Sequence, residues 1–185
     1  FWFSELWPKT QSIRNEKIIS KYIQWIKRFI DQFFFDRENL IISEFSPNHW
    51  GFFELFKDIY PKIEYEMIQP NFNKDTPQVS SALKYGKYDD SQKDIILMFE
   101  AIERSIDPLS LFKKASSKLK PGGLCFITTH LSSGFEIKIL KESSEVFIPP
   151  EKMNIFSYEG IAKLIEIDGS FDILEFSTPG VLDVS

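Results

Sequence analysis

Cysteine is almost absent: the 185 residues hold one, Cys125. A single thiol builds neither a disulfide framework nor a thiolate metal site, which points to a reducing compartment and to the cytoplasm. Histidine is nearly as scarce, with only His49 and His130, so imidazole chemistry has just two places to reside. No apolar run approaches the roughly 20 residues of a membrane span. The opening FWFSELWPK has none of the build of a signal peptide. Excess positive charge is missing as well: a net charge of −5 with scattered lysines offers no field for a polyanion, so nucleic acid is not an expected partner. There is no GxGxxG, no phosphate-binding Walker loop and no cluster with metal-ligand spacing. An initiating Met is lacking and LDVS brings no clear closing element, so the chain reads as a piece of a longer protein.

What is present suits one domain over residues 1–185, with 43% hydrophobic residues and an unusual 19 Phe that read as core packing. The organising stretch runs from Asp94 to Thr129. The run Ile95-Ile96-Leu97-Met98-Phe99 is too short for a globular helix and is apolar on successive positions, as a strand covered on both faces requires. After Asp107-Pro108, the residues Leu109, Phe112, Ala115 and Leu119 recur at helical spacing, and Pro121-Gly122-Gly123 marks a turn into a second apolar run. This is a strand, helix, strand unit.

An amphipathic helix is expected over 13–36, with Ile19, Tyr22, Ile23, Ile26, Phe29, Ile30 and Phe33 on its apolar face. Lys21, Lys27 and Arg28 among aromatics leave a partner or membrane-surface helix as the other reading. The sheet core is expected over 40–177. A strand at 40–45 leads into the loop Ser46 to Gly51 and the helical pattern FFELFKDIY, and a second strand covers 63–68. A weak strand signal lies at 79–85. Ser157 caps a helix to Ile167, and Gly169 turns the chain into a last strand at 171–176.

The order of Asp94, apolar strand, Glu100-Ala101-Ile102-Glu103-Arg104, Asp107-Pro108, amphipathic helix, LKPGG and an apolar strand ending in Thr128-Thr129 resembles the core of class I S-adenosylmethionine-dependent methyltransferases. The segment from Ile148 to Val184 is similar to members that modify small molecules and glycans. The resemblance implies an α/β fold: a Rossmann-like, doubly wound, mostly parallel sheet flanked by helices, with its last strand not readable in the chain. It implies S-adenosyl-L-methionine as cofactor, held by Glu44, Ser46, Asn48, Gly51, Gln69 and Phe99.

Several positions depart from that pattern. Where the family has a glycine-rich loop after the first strand, this chain has Ser46, Asn48 and Trp50, with Gly51 one place later. Trp50 either turns outward or fills the space of the cofactor's amino acid. Gln69 stands where a carboxylate bonds the ribose, and presents a single acceptor oxygen without charge. The family's Glu-His is Glu103-Arg104 here, and its Pro-Pro-Glu-His is Pro149-Pro150-Glu151-Lys152. Arg104 cannot act as a base but can hold a carboxylate or phosphate of a substrate. His130, past the second apolar run where methyl acceptors sit, is the remaining candidate base. Two readings follow. One is a methyltransferase acting on a small molecule or glycan precursor, with His130 and Arg104 as catalytic residues. The other is a catalytically inactive methyltransferase-like module that binds a protein partner.

Overall fold

Every side chain from Lys93 to Phe99 is buried, and a strand with no wet face has to be central. The computed structural model describes residues 7–35, 39–45, 52–68, 84–85, 92–144, 146 and 152–177. Its strands are β1 (Ile41–Phe45), β2 (Glu64–Ile68), β3 (Lys84–Tyr85), β4 (Lys93–Phe99) and β5 (Leu119–Thr128). All pair in parallel, in the order β3-β2-β1-β4-β5. The chain therefore builds outward from β1 in one direction, then returns to build outward from β4 in the other. A doubly wound sheet opens its ligand crevice beyond the carboxyl ends of the strands at such a reversal, here between β1 and β4.

The helices are α1 (Trp7–Phe33), α2 (Phe52–Ile59), α3 (Pro108–Lys118), α4 (Phe135–Leu140) and α5 (Tyr158–Asp168). One face of the sheet buries Ile42, Ile95, Leu97 and Phe126 against Ile26 and Phe29 of α1 and Phe52 and Phe56 of α2. The other buries Phe45, Ile96 and Met98 against Phe112 and Ala115 of α3 and Ile161 of α5. Phe52, Phe56, Phe99 and Phe112 are each fully buried, worth roughly 1.5–3 kcal/mol apiece. The high Phe content thus serves the core as expected, although Phe35 is 77% exposed.

Local chemistry explains the helix ends. Asp107 accepts the Ser110 amide at 3.0 Å and its hydroxyl at 2.6 Å, and Pro108 occupies the first turn, where no amide is needed. Those bonds hold the Asp107 carboxyl below its ordinary range. Ser157 caps α5 through the Gly160 amide at 3.0 Å, and Gly169 ends it with φ 68°.

Three expectations are corrected. The N-terminal helix begins at Trp7 rather than near 13. Pro121-Gly122-Gly123 is no turn before a strand; β5 already runs from Leu119, and the three glycine-turn residues form a bulge inside it. Leu119 faces Lys93 and Leu124 faces Ile95, so β5 carries three more residues than its partner across this step. The reason is electrostatic: the bulge lets Lys120 reach both oxygens of the buried Asp94, at 3.0 and 2.9 Å, while Asp94 also accepts the Ile41 amide at 3.0 Å. Finally, 171–176 forms no strand. Phe171 packs edge-on to Phe112 on one face of the sheet, and Glu175 pairs with Arg28 of α1 on the other. Anchored on both faces, the segment crosses the β5 edge instead of running along it.

Glu44 is the one carboxylate of β1 inside the core. Tyr65 donates to its Oε2 at 2.7 Å, while Oε1 has no hydrogen-bond partner among the described residues. Burial pushes this carboxyl up from 4.5 to about 7, against the smaller opposing effect of the Tyr65 bond.

Two predictions follow from these positions. At Gly123 a Cβ would meet Leu119 Cδ2 and Lys120 O at 2.9 Å and Asp94 O at 3.1 Å, so Gly123→Ala forces backbone apart. Urea unfolding should register a loss of about 1–3 kcal/mol. Gly122→Ala, with open space but φ +76°, should cost about 1–2 kcal/mol through backbone conformation alone. For Glu44, the folded state keeps a proton up to about pH 7 that the unfolded chain releases near 4.5. Its contribution is therefore full below 4.5 and is lost as pH rises through 7, a change of about 3 kcal/mol. Thermal melts of the wild type should weaken across that window, and Glu44→Gln should flatten the slope; an unchanged slope would refute the assignment.

Candidate active site

The carboxyl ends of β4 and β5 are joined by an unusual turn. Glu100, directly after β4, has φ 49°, and its amide bonds Thr128 O at 2.9 Å and Thr128 Oγ1 at 3.2 Å. Positive φ is costly for a residue with a side chain, and such positions gather where function needs a fixed direction. The turn sends the chain into a short 3-10 helix, Ile102–Arg104, which buries Glu103 beneath β5's end.

Glu103 is 2% exposed and fully engaged. Thr129 Oγ1 donates to its Oε2 at 2.8 Å, and His130 Nδ1 lies 3.3 Å from its Oε1. Its backbone carbonyl accepts the amides of Met153 and Asn154 at 2.8 and 3.0 Å. The same returning strand of chain is fixed by Ser132 N to Phe156 O at 2.8 Å, by the parallel bridge Leu131–Phe156, and by Asn154 Nδ2 to Ser105 O at 2.6 Å. Lys152 is thereby delivered to the site. Its ammonium stands 3.9 Å from Glu100 Oε2 and 3.5 Å from His130 Nδ1. Arg104 Nη2 is 3.6 Å from the same Glu100 oxygen. From the α1 side, Tyr22 stacks on Phe99 at 4.7 Å between ring centres and bonds Thr128; burial raises its hydroxyl above the usual value.

The site thus unites two carboxylates, two cations and one imidazole at the crevice end of the sheet. His130 and Arg104, singled out from sequence, come to the same cluster. Phe99 lies fully buried, edge-on to Phe52 at 5.1 Å, and Glu44 lies in the core of β1. Ser46, Asn48, Gly51 and Gln69, with Trp50, fall outside the described residues. Glu100, Lys152 and Tyr22 were not readable as site residues. Tyr22 shared the helical spacing of the core, and Lys152 was visible only as the residue replacing a family histidine.

For the implied cofactor, the pertinent observation is Glu44 Oε1, a buried acceptor at the carboxyl end of β1 that has no donor among the described residues. Such an oxygen is a fit for a donor-bearing ligand.

Residues 15–169 match a family described as a methyltransferase domain. No curated protein matches the chain. Among solved structures it is similar to the plantazolicin methyltransferase BpumL, bound to S-adenosylhomocysteine, with a TM-score of 0.61 and 12% identity over 90% of this chain and 71% of that one. It is similar to CalO1, a methyltransferase in calicheamicin biosynthesis, with a TM-score of 0.52 and 11% identity over 72% and 44% of the two chains. A family 2 O-methyltransferase from Planctomyces limnophilus, in complex with apigenin, gives a TM-score of 0.50 and 16% identity over 70% and 44%. This chain therefore spans less than half the length of the latter two, and at such identities the likeness is one of fold. Together with the sheet order, the family match over most of its length makes this chain a member of the methyltransferase domain family, within the class I S-adenosylmethionine-dependent superfamily.

Proposed function

We propose that the chain transfers a methyl group from S-adenosyl-L-methionine to a small molecule or glycan precursor, with His130 as the base. The observation that carries this is the Glu103–His130 pair. The buried Glu103 carboxylate, 3.3 Å from Nδ1, is nearer than the Lys152 ammonium at 3.5 Å, and it favours the tautomer with its proton on that nitrogen, which leaves Nε2 as the acceptor on a ring that is 36% exposed. The carboxylate orients the imidazole and stabilises the charge it acquires. His130 Nε2 would take the proton of an acceptor hydroxyl or amine presented at the end of β5. When bound, the cofactor supplies an electrophilic methyl group, held by Glu44 with 46–51, Gln69 and Phe99. Arg104 would hold a carboxylate or phosphate on the acceptor.

The acceptor class draws support from the similar structures, whose names carry plantazolicin, calicheamicin and apigenin, discrete molecules rather than polymers. The net charge of −5 agrees, since a nucleic-acid substrate would call for a basic face.

Calorimetric titration with S-adenosylmethionine and S-adenosylhomocysteine should show micromolar binding to one site. Transfer of labelled methyl to a phenol panel beginning with apigenin should then fall about 10²–10⁴-fold in His130→Ala, with cofactor affinity unchanged. Absence of both heat and thermal shift at millimolar ligand would sink the enzyme reading and favour an inactive module with a protein partner.

A further inference from the structure

Glu100, Glu103 and His130 bring one ligand atom each within 4.8 Å of one another. Around a single ion held at about 2.1 Å, ligand atoms stand roughly 3 to 4.2 Å apart, so a set spread over as much as 4.8 Å must contract to enclose a divalent cation. Hard carboxylate oxygens with one imidazole suit manganese or zinc.

The positive charge such a set attracts is already built in. Lys152, with a side chain 9% exposed, places its ammonium 3.9 Å from Glu100 and 3.5 Å from His130 Nδ1. The reach is not an accident of a long side chain, because the next two residues, Met153 and Asn154, are bonded through their amides to the Glu103 carbonyl. Arg104, 3.6 Å from Glu100, supplies a second cation. Glu100 thus faces two cations, and an added divalent ion would be opposed by both.

We propose that Lys152 is a tethered cation, set against Glu100 and His130, that stands in for a metal ion at a Glu100–Glu103–His130 ligand set. The pocket is a divalent-cation site closed by an ammonium. Where a metal would draw an acceptor oxygen to the base, Lys152 does so by hydrogen bonding, having three donors on one nitrogen. That last role rests on the proposed methyl transfer; the closure of the metal site does not. Lys152 is a positioning residue, and neutralising it should convert the pocket.

The test uses Mn²⁺ and Zn²⁺ alone as probes. Wild-type protein should bind neither tightly by calorimetry or, for Mn²⁺, by electron paramagnetic resonance. Lys152→Ala should gain affinity on the order of 100-fold or more, as expected from removing one unit charge near the ion. The gain should vanish in Lys152→Ala combined with His130→Ala or Glu100→Gln. Lys152→Met keeps the aliphatic stem and covers the case in which the alanine variant fails to fold; circular dichroism and a melt establish folding. Tight binding by wild type, or no gain in a folded variant, overturns the proposal. In the methyl-transfer assay the same variants should raise KM for the acceptor and leave cofactor affinity unchanged. If wild type binds no cofactor, the proposed function fails, while the metal titration still decides whether the site is closed.

Discussion

The structure depends on the carboxylate of Asp94. It is 1% exposed and sits at the start of β4, where it receives the amide of Ile41 at the start of β1 and the ammonium of Lys120 in β5. One side chain thereby ties three adjacent strands, β1, β4 and β5, at their amino ends. A buried charge is tolerated only when paired and hydrogen-bonded, and Asp94 meets both conditions through elements that must be in register for it to do so. The β5 bulge is the conformational cost of this arrangement: Gly122 accepts a positive φ, and Gly123 lets the backbone close to within contact of Asp94.

The two ends of the sheet treat charge differently. At the amino ends, Lys93 meets Glu66 at 2.9 Å and Lys120 meets Asp94 at 2.9 Å, and Ser43 adds a further bond to Glu66 at 3.0 Å. Both are short; Lys93 and Asp94 are buried, while Lys120 is partly exposed, so removing a partner strands a charge most severely at the Lys93–Glu66 pair. At the carboxyl ends, the separations of Glu100, Arg104, Lys152 and His130 run from 3.5 to 3.9 Å. These are longer than the pairs at the amino ends, and several charged groups share each contact in place of one short bond. Glu103 differs, bonded on one oxygen by Thr129 and on the other by His130.

How far the sequence disclosed this follows from the range of each interaction. The run Ile95 to Phe99, the Asp107-Pro108 start of α3 and the Ser157 and Gly169 limits of α5 were legible because burial on both faces and capping are decided within a few residues. The bulge at LKPGG was not, since its cause is Asp94, 26 residues earlier in the chain. The apolar alternation of 171–176 resembled a strand, but pairing is not a local property. Phe171 and Glu175 found partners on α3 and α1 instead. Arg104 was picked out through the family resemblance, standing where the family has a histidine, and His130 as the remaining histidine past the second apolar run; both lie in one cluster. Their relation to Lys152 was hidden, as it arises from amide bonds between 153–154 and Glu103 that leave no trace in residue spacing.

Two buried carboxyls complete the argument about why the site lies where it does. Glu44 and Glu103 both sit at strand ends and are both almost wholly withdrawn from water. Among the described residues Glu44 has one donor, Tyr65, and no cation, so burial dominates and its carboxyl is pushed up to about 7. Glu103 has a hydroxyl on one oxygen and an imidazole on the other, while Lys152 and Arg104 are set against its neighbour Glu100. Burial keeps the first carboxyl protonated well above the range of the free acid. The second is bonded through the side chains of the two residues that follow β5. The carboxyl ends of the strands thus hold two buried acids in different states of partnership, one governed by burial beside β1 and one held by hydrogen bonds beside β5.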